Sequence, residues 1–222
     1  MMSRRIGIYG GTFDPVHNGH LEVARRVLQL FKLDELIFVP ACVPPHKRTR
    51  KLTSAFHRFA MLALATVADQ QLLVSTVELD APDQPYAVNT VERMRETFGD
   101  ETELFFIVGA DSWLEITTWK EWQRLLTLCH LIVATRPGFD LKAFDRENIP
   151  VTVIDSTAGR HAQLEISTLS GKRSVVLTDL AMVDISATAI RAAAHAKEFE
   201  KLISMVPPQV AAYIEKNGLY RN

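Results

Sequence analysis

Two histidines three residues apart, His17 and His20, stand just downstream of two glycines, Gly10 and Gly11, in the run GGTFDPVHNGH. At a turn from a strand into a helix these types do one kind of chemistry together: they hold an anion. Glycine lets the backbone come close to a ligand and adopt positive φ, so its amides can point at phosphate oxygens. Histidines at i and i+3 share one face of the helix start, where free N–H groups add about half a positive charge. In phosphoryl or nucleotidyl transfer, charge builds on the equatorial oxygens and the leaving group, so fixed donors and a metal ion carry most of the rate. An ordinary imidazole, with a pKa of about 6.5, is about a quarter protonated at pH 7. The helix end lowers that fraction and a bound triphosphate raises it. Taken alone, the pair also fits surface polar residues or part of an incomplete metal site. The run has neither the GxGxxG spacing of dinucleotide-dependent oxidoreductases nor the GKS or GKT of a P-loop.

The elements around it supply that turn. Upstream, Arg5-Ile6-Gly7-Ile8-Tyr9 reads as a buried parallel strand, and downstream Leu21, Ala24, Leu28 and Phe31 recur at helical spacing. Further strands are predicted at Glu35 to Pro40, Leu72 to Leu79, Glu103 to Val108, His130 to Thr135 and Val175 to Leu177. Between them Ser54 opens an apolar helix to about Asp69, Asn89 caps one running to Phe98, and Trp119 to Leu126 reads as helical. Ser186 caps an alanine-rich helix, and a final helix starts at Pro207-Pro208 and is closed by Gly218. An irregular excursion is expected from Pro137 to Ser174. This alternation predicts an α/β fold, a Rossmann-like doubly wound parallel sheet with helices on both faces.

Composition bounds the partners. The 222 residues, 47% hydrophobic and 23% charged, suit one domain with one sizeable core. A net charge of -1 gives no basic footprint for a nucleic-acid polymer, so a small anionic ligand in a local pocket fits better. Cys42 and Cys129, far apart and without CxxC spacing, are expected to be buried, reduced thiols. The longest apolar run, Phe59 to Ala68, is about half a membrane span, and no secretory h-region follows Met1, so a cytoplasmic location and no membrane partner are expected.

The run GGTFDPVHNGH resembles the HxGH signature of the nucleotidylyltransferase superfamily, and Ile185-Ser-Ala-Thr-Ala-Ile-Arg191, about 165 residues later, resembles its second signature, ISxTxIR. Val39-Pro40 through Pro44-Pro45-His46-Lys47, Gly109-Ala-Asp-Ser-Trp113, Trp119-Lys-Glu-Trp122, Arg136-Pro-Gly138 and Val206-Pro-Pro208 to Leu219-Tyr220 resemble the bacterial nicotinate-nucleotide adenylyltransferase family. The likeness runs across nearly the whole chain. It implies one nucleotidyltransferase domain over 1–222, with the second signature and the last helices at about 185–222. The implied reaction moves AMP from ATP to nicotinate mononucleotide, giving nicotinate adenine dinucleotide and pyrophosphate, and it belongs to NAD biosynthesis.

The resemblance also implies roles. His17 and His20 contact the ATP phosphates, with Arg191 as a further catalytic group, and Gly10, Gly11, Thr12, Phe13, Ser186 and Thr188 complete the ATP site. His46, Lys47, Thr90, Asp111, Trp119 and Arg136 fall to the acceptor: Trp119 stacks on the pyridine ring, Thr90 and nearby amides meet its carboxylate, and Arg136 meets the mononucleotide phosphate. On pattern alone Ser186 is equally an N-cap, Arg191 a solvated charge, Asp111 an N-cap, and Trp119 with Trp122 a core pair. The family commonly reads Tyr-Thr-x-Asp-Thr where this chain has Tyr86-Ala87-Val88-Asn89-Thr90, so one hydroxyl and one carboxylate are absent.

Attack by the acceptor phosphate is expected to be direct and in line, with no general base because the phosphate is already anionic. The chain shows no cage of clustered acids, so no protein metal site is expected and Mg²⁺ arrives with ATP. A monomer or small homo-oligomer is expected. Nicotinamide mononucleotide and phosphopantetheine are rival acceptors, and a nucleotide-sensing protein on the same fold is a rival of another class.

Overall fold

Strand sequences without polar interruption bury both faces. Every residue of His130–Ala134 and of Ser174–Thr178 is buried, as are Ile6 to Tyr9 at the start of the chain. The computed structural model describes residues 3–42, 52–83, 86–135, 149, 151–157, 173–183 and 185–221. Its strands are β1 (Arg5–Gly11), β2 (Glu35–Pro40), β3 (Leu72–Val74), β4 (Glu103–Gly109), β5 (His130–Ala134), β6 (Thr152–Asp155) and β7 (Ser174–Thr178). The helices are α1 (Asn18–Phe31), α2 (Ala55–Thr66), α3 (Ala87–Phe98), α4 (Ala110–Leu114), α5 (Trp122–Leu128), α6 (Ala187–His195), α7 (Phe199–Met205) and α8 (Pro208–Lys216), with a 3-10 turn at Ile116–Thr118.

The strands form one sheet in the order β3-β2-β1-β4-β5-β7-β6, and each pairing is parallel. Alternate residues serve opposite layers. Tyr9, Phe38, Phe105, Ile107 and Val176 pack with α1, α2, α6, α7 and α8. Ile8, Val39, Phe106, Val108 and Leu177 pack with α3, α4 and α5. This is the doubly wound α/β arrangement expected from the sequence. The chain runs outward from β1 to β3 and returns to β4 beside β1, so the order reverses between β1 and β4. A crevice opens at the carboxyl ends of strands at such a switch point.

Several boundaries differ from the sequence reading, each for a local reason. β3 stops at Val74 instead of reaching Leu79, because Ser75 Oγ accepts the Val77 N–H and the Thr76 hydroxyl donates to Asp80, folding the rest into a turn. The cap of α3 is Tyr86, and Asn89 lies inside the first turn with a buried Oδ1 that finds no partner among the described residues. Trp119 precedes the helix expected to start there: Glu121, at φ 50°, breaks the chain before α5. The excursion after Pro137 contains β6, while α4 and α7 were not anticipated. Cys129 is buried as expected, but Cys42 is only half-buried; both are free thiols.

Candidate active site

A cleft of about 720 Å³ lies at the carboxyl ends of β1 and β4, lined from the first by Gly10 and Gly11 and from the second by Val108 and Gly109. The glycines serve close approach here, not positive φ. A Cβ on Gly10 would stand 3.0 Å from the Phe106 ring, and one on Gly11 would stand 2.8 Å from the Phe13 ring. The left-handed residue of the turn is Phe13 itself, at φ 48°. Its ring is buried edge-on against Tyr9, Phe38 and His20, which repays the strained backbone with packing.

His17 is the N-cap of α1 and His20 the third residue inside it. The backbone N–H of His17 donates to Nδ1 of His20 at 3.3 Å, and the His20 N–H returns to the His17 carbonyl at 2.9 Å. A ring nitrogen that accepts from the backbone carries no proton, so neutral His20 is the Nε2–H tautomer, with that N–H as its donor. Burial, and secondly the charge of His17, hold the His20 pKa well below the usual histidine value. Its balance is thus set by desolvation, which a helix-end argument understates. Both rings line the cleft.

Beside them, Arg191 of α6 donates from Nη1 to the Asp14 carbonyl at 2.7 Å and from Nη2 to the Thr188 hydroxyl at 3.0 Å. The guanidinium is therefore held against the turn that precedes α1. Ser186 is the N-cap of α6, its hydroxyl accepting the Ala189 N–H at 3.2 Å. Ser186 and Thr188 lie off the cleft wall, whereas Ala187 and Arg191 form part of it.

The other wall carries Asp111, exposed in the first turn of α4, and half-buried Trp119. The N-cap of α4 is Gly109, so the capping role does not fall to Asp111. Ala87 lines the cleft as well, which puts the missing hydroxyl of the Tyr86 to Thr90 segment at the cleft surface. Thr90 is placed differently from expectation. It is fully buried behind the cleft lining, and its hydroxyl donates at 2.7 Å to Glu78, which does line the cleft. His46, Lys47 and Arg136 lie outside the described residues.

Three contributors went unread in the sequence. Arg58 is 1% exposed and donates to the carbonyls of Thr12, Ala41, Cys42 and Thr53, tying the turn after β1 to the ends of the loop after β2. Its signal was a charge on the same helical stripe as Met61 and Leu62 in an otherwise apolar helix. Glu78, on the cleft wall, has its carboxyl pKa raised by burial, which the Thr90 hydrogen bond opposes. Asp14, inside the first motif, is buried and accepts from Tyr220.

A parallel sheet with stacked histidines at its switch point and an arginine held against the turn beside them suits nucleotidyl transfer, and the cytidylyltransferase-like family profile matches residues 8–193. A probable nicotinate-nucleotide adenylyltransferase of Moorella thermoacetica is 39% identical over 98% of this chain and 92% of its own length. Another, from Chromobacterium violaceum, is 36% identical over 99% of this chain and 100% of its own. The chain belongs to the nicotinate-nucleotide adenylyltransferase family, and it is an enzyme of the nucleotidyltransferase class. Its fold is shared with Plasmodium falciparum nicotinic acid mononucleotide adenylyltransferase complexed with NaAD, at a TM-score of 0.67 and 18% identity over 98% of this chain and 97% of that one. Among the described residues no helix is long and apolar enough to cross a membrane.

Proposed function

We propose that this chain transfers AMP from ATP to nicotinate mononucleotide, releasing pyrophosphate and forming nicotinate adenine dinucleotide for NAD biosynthesis, as a single nucleotidyltransferase domain. The observation that carries the reading is the convergence of His17, His20 and Arg191 on one cleft with Asp111 and Trp119, in a chain alignable over its whole length with the family. The acceptor phosphate attacks the α-phosphorus in line; it is already anionic and needs no base. Neutral His20 offers its Nε2–H and Arg191 its fixed fork to the charge that builds on the phosphates. The rigid pose of both groups means that little reorganisation is needed when that charge appears.

Trp119 gives the pyridine ring a stacking face, and Asp111 accepts from ribose or another substrate hydroxyl. With Thr90 committed to Glu78, recognition of the nicotinate carboxylate falls to backbone amides near Ala87. His46, Lys47 and Arg136 are assigned by resemblance to the acceptor and phosphates. Among the described residues no three His, Cys, Asp or Glu side chains converge as metal ligands. Mg²⁺ bound to the ATP phosphates requires no such cage, and it supplies neutralisation of their charge.

Pyrophosphate release from ATP, measured with nicotinate mononucleotide and with nicotinamide mononucleotide in turn, tests the reading. Faster release with the nicotinate acceptor is expected. Release with neither overturns it, and a preference for the nicotinamide acceptor overturns the acceptor assignment.

A further inference from the structure

Tyr220 lies 206 positions from Asp14 in sequence, yet its phenol donates to Asp14 Oδ1 at 2.8 Å. Asp14 is 6% exposed, and three separate segments grip it. Besides Tyr220, the backbone N–H of Thr53 donates to Oδ2 at 3.3 Å and Nη1 of Arg191 donates to the carbonyl at 2.7 Å. Asp14 also sits between Phe13, where the turn takes its left-handed step, and His17, where α1 begins. Any shift of Asp14 therefore moves both Arg191 and the turn that leads into α1.

The tail is bent to make this contact. Tyr220 itself has φ 65°, a region that disfavours non-glycine residues, so the turn is held by what the side chain gains. Burial, and next the Asp14 charge, push the phenol pKa far above its usual value, keeping it a proton donor. A carboxylate beside a polyanion site repels the ligand unless it is held and offset. The Asp14 charge acts on Arg58 and Tyr220 together, and the Arg191 charge acts on Tyr220 as well.

We propose that Tyr220 is a positioning residue for nucleotidyl transfer, its phenol fixing Asp14 and, through Asp14, the Arg191 guanidinium and the turn from Thr12 to His17. This rests on the functional reading above, which places Arg191 and His20 against the ATP phosphates. Helix α8 has its own anchor, the 2.9 Å contact of the Tyr213 hydroxyl with His57 Nδ1 and the burial of Val210, Ala211 and Ile214. Removing one oxygen from Tyr220 thus leaves the helix docked.

Tyr220→Phe is the test, since it keeps the ring and deletes the donor. Steady-state pyrophosphate release is measured with ATP varied and then with nicotinate mononucleotide varied. The expected result is a kcat/KM for ATP lowered about tenfold, a mononucleotide KM within about twofold, and a Tm lowered by only a few degrees. In an Arg191→Ala background the same substitution should lower kcat/KM for ATP by clearly less than in the native chain, only the share carried through the turn remaining. Native-like kinetics in Tyr220→Phe, equal losses for both substrates with a Tm fallen further than that, or an effect that multiplies in full with Arg191→Ala would overturn the proposal. Should the native chain release pyrophosphate with neither mononucleotide, the acceptor reading fails while this one is still decided by Mg-ATP. A smaller Mg-ATP shift of Tm in Tyr220→Phe than in the native chain supports it, and equal shifts overturn it.

Discussion

The imidazoles of His17 and His20 stack with centroids 3.7 Å apart and planes 24° from parallel. Two rings this close disfavour a second positive charge, and burial disfavours even the first on His20. The pair consequently presents the single Nε2–H donor of a neutral His20, in place of the imidazolium that an exposed histidine would become at a phosphate.

From about pH 6 to 8 the His20 ring is expected to remain neutral, with its ¹⁵N signals in the Nε2–H pattern; a midpoint near the ordinary histidine value would contradict this. His20→Ala should lower kcat by about a hundredfold or more, as loss of one well-placed donor does, while far-UV circular dichroism stays native. An unchanged rate would remove His20 from the chemistry.

Arg58→Ala leaves four part-buried backbone carbonyls without their donor. The expected loss of stability is at least about 3 kcal/mol by urea denaturation. Arg58→Lys, which keeps the charge but not the planar fork, should fall between the two. A loss below about 1 kcal/mol in the alanine variant would show that these bonds are replaced by water.

The sheet and the first motif were legible because their signals are local: uninterrupted apolar runs for β1, β2, β4 and β5, and a helix stripe after the glycines. The second signature was equally readable, and Ser186 caps α6 as its sequence implies. What escaped depends on contacts distant in sequence. Thr90 reads like a substrate-facing hydroxyl until the turn from Ser75 to Asp80 brings Glu78 beneath it. Arg58 resembles any helix charge until the carbonyls of Thr12, Ala41, Cys42 and Thr53 gather round it. Tyr220 has no local signal at all, since its partner lies at the other end of the chain. Short elements failed for another reason: α4 and the 3-10 turn at Ile116–Thr118 span too few residues to show a period.

Thr90→Val withdraws the bond that opposes the burial-raised pKa of Glu78, so that pKa should rise further. A carboxyl with a folded pKa above its unfolded one favours the fold at low pH and loses that contribution as pH rises through the folded value. The variant should therefore lose about 1–2 kcal/mol at pH 8 and less at pH 4, read by urea denaturation at both. Thr90→Ser should behave as the native chain. Equal losses at the two pH values would assign the effect to the added methyl and the lost bond to the Tyr86 carbonyl.

His130 opens β5 at the amino end of the strand, remote from the cleft at the carboxyl ends, and it is completely buried. Its Nδ1 meets the Ser174 hydroxyl at 3.1 Å and its ring stacks on Phe105 at 4.8 Å. Burial first, then the charges of Arg173, Arg5 and Arg95, bring its pKa down to about 4. Unfolding returns it to about 6.5, so in the interval the unfolded chain binds a proton that the folded chain refuses. The stability tied to His130 is present above the unfolded value and is lost as pH falls towards 4, to a limit of about 3 kcal/mol. His20, depressed in the same direction, adds to the same slope. Urea midpoints measured from pH 7 down to pH 4.5 should fall in the native chain and fall less steeply in His130→Gln, which retains a polar group near Ser174. Parallel slopes in the two proteins would mean that the acid sensitivity of the fold lies elsewhere. Because His130 sits at the amino end of its strand, away from the cleft at the carboxyl ends, kcat at pH 7.5 should be the same in both.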